Sequence, residues 1–158
     1  FGGHTYAAGL SLKEENLDAF TQRFLKLAAD EIIPEQMTPQ IDIDAVLDLQ
    51  DINAKFMSEL KKMNPFGPDN QKPVFCSLGV KDYGTSKLVG KDLEHIKLEL
   101  IDDKSNTPIH GIAFGMHQHN THIKNMKPFN ICYTIEENTY NGNTSLQLMV
   151  KDIKENDI

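Results

Sequence analysis

No run of apolar residues in this sequence approaches the roughly 18 that a helical membrane span requires, so no membrane association is expected. Cysteine is scarce. Cys76 and Cys132 are the only two, far apart in strand-like stretches and without a Cys-x-x-Cys partner. The expectation is two buried free thiols in a reducing cytoplasm rather than a disulfide. There are no internal repeats and no low-complexity stretches, which sets aside repeat architectures. Tryptophan is absent too, and the remaining composition, 39% apolar and 25% charged, is that of a soluble globular protein. At 158 residues it is long enough for one ordinary domain or two small ones.

Basic charge is also in short supply. The formal net charge is −7, which argues at first against nucleic acid. The distribution softens that exclusion. Residues 1–70 carry 6 Lys/Arg against 12 Asp/Glu, whereas residues 71–158 carry 10 against 11. A near-neutral second half can hold a basic strip, and modest, salt-sensitive affinity is the most that this balance permits.

The opening, Phe1-Gly2-Gly3-His4-Thr5-Tyr6-Ala7-Ala8-Gly9-Leu10, has neither an initiator Met nor a basic-then-apolar leader. The expectation is a cut through the middle of a larger enzyme. Paired glycines bring backbone N–H groups close to an anion, and an imidazole can donate to a phosphate oxygen. The competing reading of Gly2, Gly3 and His4 is an ordinary glycine turn beside a surface histidine.

After a short strand over AAGLSL the period changes. Leu17, Phe20, Phe24, Leu27 and Ala28 recur at three- and four-residue steps, the pattern of one helix face. Glu14, Glu15 and Asp18 fall in its first turn, where the dipole favours them, and Pro34 and Pro39 end the unit. IDIDAVLDL alternates like a strand, and its tail reads equally as the entry to a helix. Asp51 is the expected N-cap of a second helix carrying Ile52, Phe56, Leu60 and Met63, which the Asn64–Asn70 loop breaks.

Beyond residue 72 the period is two. PVFCSLGVKDY, HIKLELID, PIHGIAFGM, FNICYTIEEN and SLQLMVKDI read as five strands. The Asn141-Gly142 pair suits a tight hairpin between the last two. The expected class is therefore α+β: a helix-and-strand unit over 1–38, then a leading helix and a five-stranded OB-like β-barrel over 39–158. An OB-fold is the commonest small closed barrel and often binds oligonucleotides on one face.

Three sets of side chains carry candidate chemistry. In EHIKLELID, Ile96, Leu98 and Leu100 are expected inside, with His95, Lys97 and Glu99 outside. A strip of Lys91, His95, Lys97 and Gln147 with a ring nearby is what a single strand asks for: cations for the backbone, an aromatic for a base. Phe114 is in phase with His110 and Ile112, and a core role competes with a stacking one. Asn138 and Tyr140 border the hairpin and could serve either the turn or the strand. Lys87 and Lys91 flank Gly90, which reads as a close-approach point or a bulge. The acidic Asp42, Asp44, Asp48 and Asp51 read as a solvated face rather than a Mg²⁺ site. His117, His119 and His122 read as a flexible, pH-sensitive loop tip rather than a zinc site.

GGHxxAAG resembles the substrate-binding motif in the associated domain of the DHH phosphoesterase family. Within that family GGHTYAAGLSL, ENLDAF, NPFGPDNQKPVF, LVGKDLEHIKLEL, GIAFG and EENTYNGNTSLQLMVKDI resemble, in order and spacing, the RecJ exonucleases, which are bacterial, single-strand-specific and 5′→3′. The likeness covers essentially the whole chain. Asp69 and Gln71 depart from the family's usual loop, PFGxGNPxP, and the DHH triplet of the family's metal site is missing. The resemblance implies that residues 1–38 are the C-terminal part of the DHH-associated domain and 39–158 the OB-fold domain. It implies an exonuclease of DNA repair and recombination whose Mn²⁺ or Mg²⁺ is held upstream, with no catalytic residue and no metal here, and a chain inactive alone. Gly2, Gly3 and His4 would hold the nucleotide or its phosphate. Lys91, His95, Lys97, Phe114, Asn138, Tyr140 and Gln147 would face single-stranded DNA. Single-strand-binding protein is a candidate partner, and a protein-docking barrel with little direct DNA binding is the alternative.

Overall fold

The structure, a computed structural model, describes residues 1–4, 6–105, 107–140 and 142–156, with Tyr140 described by its backbone alone. The chain divides into two compact units, Phe1–Ile41 and Asp42–Ile158.

In the first unit, strands β1 (Gly2–His4) and β2 (Ala7–Gly9) form an antiparallel hairpin with Gly3 opposite Ala8. A Cβ on Gly3 would lie 2.8 Å from the Ala8 Cβ. Gly3 is therefore required by the hairpin itself. A 3-10 turn, Glu14–Asn16, leads into helix α1 (Leu17–Glu31). The expected apolar face forms, and the Phe20 and Phe24 rings stack along it with centroids 5.9 Å apart. Pro34 opens a second 3-10 turn, Pro34–Met37.

The second unit is the barrel. Of the alternating IDIDAVLDL only β3 (Ala45–Val46) pairs, parallel to β4 (Phe75–Asp82). Asp44 instead clamps the start of β4, its carboxylate accepting the Val74 N–H at 2.8 Å while its own N–H donates to the Val74 carbonyl. Helix α2 (Ala54–Lys61) is capped by Asn53, not Asp51. Asn53 Oδ1 accepts from the Lys55 and Phe56 amides at 3.0 and 3.1 Å, whereas Asp51 closes a 3-10 turn over Leu49–Asp51. Asn70 ties the following loop together by donating to the Met63 and Pro65 carbonyls.

All five expected barrel strands are present. They are β4, β6 (His95–Ile101), β7 (Ile109–Ala113), β8 (Phe129–Tyr140) and β9 (Asn143–Glu155), with a short β5 (Lys87–Val89) before β6. β6 pairs antiparallel with β7, β7 parallel with β9, β9 antiparallel with β8, and β8 antiparallel with β4. The end of β4 then pairs with β6 and closes the ring. β4 can serve both neighbours because it bulges between Ser77 and Val80, where Gly79 takes φ +65° and donates its N–H to Asn130 Oδ1. Ile96, Leu98, Leu100, Tyr133, Ile135 and Leu148 fill the interior, each contributing about 1.5–3 kcal/mol of burial.

The histidine segment between β7 and β8 is not a loose tip. It forms a 3-10 turn, His117–His119, and helix α3 (Asn120–Lys124), whose Ile123 is fully buried. His119 and His122 both reach the Glu155 carboxylate, at 2.7 and 3.2 Å. Cys76 and Cys132 are buried free thiols directly opposite each other on β4 and β8. Burial pushes both thiols up from their ordinary value.

Candidate nucleic-acid interface

The outer face of β6, β7 and β9 carries His95, Lys97 and Gln147 of the strip expected from the sequence, but not Lys91. With Ile96, Leu98 and Leu100 inside, His95, Lys97 and Glu99 point outward. Register sets Lys97 beside Ile112, and Glu99 beside His110, which in turn lies beside Gln147. Asn138 lies opposite Ser145 on the β8–β9 hairpin. Lys97, His110, Asn138, Ser145 and Gln147 thereby line one shallow cleft of about 360 Å³.

Phe114 resolves the competition between core and surface. It is 55% exposed. The reason lies in the opposite phase of β7, where Gly111 and Ala113 are the inward residues. A Cβ on Gly111 would already meet Leu148 at 3.4 Å and Leu98 at 3.5 Å. The interior at β7 has room only for small side chains, so the large apolar ones, Ile112 and Phe114, face out. The His95 ring meets Phe114 edge-on, with centroids 4.8 Å apart and an interplanar angle of 79°, which fixes one side of Phe114 and leaves a face open.

Backbone contacts hold His95 in turn. The Gly115 N–H donates to His95 Nδ1 at 3.0 Å, so the neutral ring carries its proton on Nε2, which faces Glu94 Oε1 at 3.3 Å. Glu94 folds over Gly90, accepting the Asp92 N–H at 2.9 Å. A Cβ at Gly90 would lie 2.7 Å from the Glu94 carboxylate, and Gly90 takes φ +96°. Gly90 is thus a turn glycine that receives its own neighbour, neither a bulge nor a point of ligand approach. Hydrogen bonds from the Glu94 and Asp92 amides, with His95 and His117 nearby, hold the Glu94 carboxyl below its ordinary value. Lys91 projects from this turn and does not line the cleft.

A second, larger hollow of about 520 Å³ adjoins the cleft and shares His110 and Ser145 with it. One wall is the β6–β7 loop with Lys104, Ser105 and Thr107, and another is the Leu49–Asn53 segment. Asp102 joins the two walls. Its Oδ2 accepts the Leu49 N–H at 2.7 Å, and its Oδ1 accepts the Lys104 and Ser105 N–H groups at 2.9 and 2.6 Å. Burial alone would push the Asp102 carboxyl up, but these hydrogen bonds outweigh it and hold it below its ordinary value.

Charge on the face is mixed. Lys61 and Lys72 pair with Glu137 and Glu136 at 2.7 Å, and Glu99 lies 3.6 Å from His110. Among the described residues Lys87, Lys91 and Lys97 form no ion pair, nor do Lys55, Lys127, Lys151 and Lys154; Lys97 is the cation that lines the cleft, and Lys87 stands opposite it on β5. Sequence reasoning left His110, Ser145 and Lys87 out of the strip; His110 was detectable through its shared phase with Phe114. The Tyr140 side chain lies outside the described residues. Gly2, Gly3 and His4 are exposed on β1, with the Tyr6 N–H donating to His4 Nδ1 at 3.3 Å.

The acidic cluster does not fit a divalent cation. Asp44 is occupied by Val74, Asp48 Oδ2 lies 2.7 Å from Lys104 Nζ, and among the described residues no three His, Cys, Asp or Glu side chains converge as a metal site.

The order β4–β6–β7–β9–β8, closed on itself with one parallel pair and with helix α3 between β7 and β8, defines an OB-fold barrel. The chain belongs to the RecJ OB-domain family, whose model, described as the RecJ OB domain, matches residues 43–152. It is 29% identical over 154 residues to a Haemophilus influenzae protein named single-stranded-DNA-specific exonuclease RecJ, covering 98% of this chain and 26% of that one. The protein of that name from Bacillus subtilis is 28% identical over 153 residues, covering 96% and 19%. The chain thus spans about a quarter or less of the curated relatives it matches. The crystal structure of Thermus thermophilus RecJ in complex with Mn²⁺ shares the fold, with a TM-score of 0.76 at 20% identity over 99% of this chain and 22% of that one. The Mg²⁺ complex gives 0.74 at 19% identity, covering 99% and 23%.

Proposed function

We propose that this chain is the substrate-gripping C-terminal portion of a RecJ-like 5′→3′ single-stranded-DNA exonuclease of DNA repair and recombination. Residues 1–38 would be the end of the DHH-associated domain and 39–158 the OB-fold domain with its leading helix. The observation that carries the reading is the cleft that unites Lys97, His110, Asn138, Ser145 and Gln147 beside an exposed, ring-braced Phe114. A cation holds a phosphate, amides and a hydroxyl take base edges, and a ring takes a base face. The near-neutral charge of residues 71–158 sets a modest affinity that falls with salt.

Hydrolysis belongs to residues outside this chain. Mn²⁺ or Mg²⁺, held by a DHH domain, would supply water activation for attack on the 5′-terminal phosphodiester. This chain would hold the strand and set its path, with Gly2, Gly3 and His4 holding the terminal nucleotide or its phosphate. The chain alone is expected to release no nucleotide with either metal, and its site of action to be the bacterial cytoplasm.

Amide chemical-shift mapping with a short 5′-phosphorylated single strand tests this. Shifts centred on Lys97, His110, Phe114 and Gln147 are expected. Shifts confined to other surfaces, or nucleotide release by the pure chain, would refute the reading. Saturable binding of single-strand-binding protein without any oligonucleotide shift would favour a docking barrel instead.

A further inference from the structure

We propose that Lys87 and Lys97 form a two-lysine seat for one backbone phosphate of the bound strand, with the neighbouring base lying on Phe114. The inference rests on the strand-gripping reading above and assigns a residue, Lys87, that lies outside the cleft.

The argument begins with register. Lys87 on β5 lies directly opposite Lys97 on β6. Their chain neighbours Leu88 and Ile96 are also opposite each other, with Ile96 in the core and Leu88 packed against it. Both lysines therefore point outward on one face. Directly opposed side chains on antiparallel strands have Cβ atoms about 5 Å apart, and like charges at that spacing destabilise the pair. Several of the barrel's other cations are quenched, and of those left unpaired only Lys87 and Lys97 face each other across a strand pair among the described residues. Lys61, Lys72, Lys81, Lys104 and Lys124 each reach a carboxylate within 4 Å. Lys87 and Lys97 are exposed and make no such pair among the described residues.

The hairpin beneath them is built rigidly. Ser86 Oγ accepts the Glu99 N–H at 3.0 Å, and the Ser86 N–H donates to the buried Asp82 at 3.1 Å. An uncompensated like-charge pair on a firmly held hairpin gains nothing in the free protein. An anion placed between the two ammonium groups reverses the sign of the interaction. Two residues from Lys97 on the same face, about 7 Å along the strand, stands His95, whose ring abuts Phe114. That separation suits a phosphate and its own base. A single-stranded phosphodiester satisfies both halves; a free anion satisfies only the first.

The test compares wild type with Lys87→Gln, alone and combined with Lys97→Gln, in this 158-residue chain, using Lys62→Gln, whose lysine pairs with Glu59, as control. Binding of a fluorescent oligo-dT of about 12 residues, within the range of single OB-fold sites, is followed across salt. Replacing both lysines (Lys87→Gln with Lys97→Gln) should flatten the log–log salt slope by about 0.7, one phosphate's worth on a single strand and about a fivefold loss at ~0.1 M salt, and Lys87→Gln alone by part of that. Free of ligand, Lys87→Gln should have an equal or higher urea midpoint, because the opposed charges are gone. Lost affinity without lost stability separates a seat from a merely structural lysine. Binding by wild type with an unchanged slope in Lys87→Gln would overturn the seat and leave the strand-gripping reading standing. No binding by wild type at any salt would overturn both. Pyrophosphate alone raising the wild-type midpoint above that of Lys87→Gln, with no difference in oligonucleotide binding, would assign the pair to a free anion and refute the proposal.

Discussion

Asp102 joins the Leu49–Asn53 segment to the β6–β7 loop, and its removal should loosen both walls of the larger hollow. Asp102→Ala deletes the acceptor of three backbone N–H groups. Hydrogen bonds to a charged group contribute about 1.5–3 kcal/mol each when buried, but these three are unequal. Lys104 and Ser105 lie in a loop that water reaches, so solvent replaces much of what they lose. Leu49 is 3% exposed, and its N–H is left without a partner at about 1–3 kcal/mol. A total near 2–3 kcal/mol is expected, or about 10 °C in Tm for a unit of this size. Asp102→Asn should lose roughly half of that. Its one carbonyl oxygen can serve Leu49 or the Lys104–Ser105 pair, not both, because the two carboxylate oxygens divide them. Urea unfolding checks this, with an unchanged m-value marking a stability effect rather than an altered unfolded state. Equal midpoints for Asp102→Ala and wild type would refute the bridging role of this carboxylate.

Further outcomes follow from the same contacts. Phe114→Ala should weaken oligonucleotide binding by about 1–3 kcal/mol while leaving the unfolding midpoint near wild type, because the ring lies outside the core; a large stability loss in thermal melts would contradict its surface role. Asn53→Ala removes the cap of α2 and should cost about 1 kcal/mol, whereas Asp51→Ala should cost little, a contrast read by paired urea titrations. Burial, opposed by the Ser77 hydrogen bond, pushes the Tyr133 phenol up to about 12. Its stability contribution is complete below the unfolded value near 10 and should be lost as pH rises from about 10 to 12. The advantage of wild type over Tyr133→Phe, about 1 kcal/mol at neutral pH, should therefore shrink across that window. At the acid end the carboxyls of Asp82 and Asp102 are both depressed, so their contribution is present above the ordinary Asp value and should drain away as pH falls below it; an acid-independent midpoint down to pH 2 would contradict this.

The barrel strands were legible because their alternation is strong and each inward set is apolar. Ile96, Leu98 and Leu100 show the pattern at its clearest. β7 shows where the rule inverts, since its inward residues are Gly111 and Ala113 and its apolar pair faces out, a choice dictated by Leu98 and Leu148 pressing from across the interior. No local pattern contains that constraint. β5 is three residues long and was invisible as a strand, and with it the facing of Lys87 and Lys97. The cap of α2 fell to Asn53 because three residues ahead of it already close a 3-10 turn. IDIDAVLDL alternates well but pairs over only two residues, its acidic positions being drawn off to Val74 and Lys104. Of the face, the strip of His95, Lys97 and Gln147 was readable from strand phase; the cleft that adds His110 and Ser145 depends on the parallel β7–β9 pairing, which no sequence period announces.

The central claim is that the β6–β7–β9 face grips single-stranded DNA. Fluorescence anisotropy of a 5′-phosphorylated single strand and its matched duplex, titrated with this chain at low and physiological salt, tests it most directly. The account predicts saturable binding that prefers the single strand, weakens as salt rises and is impaired by Lys97→Ala. Equal affinity for the duplex, or no binding at either salt, would contradict it.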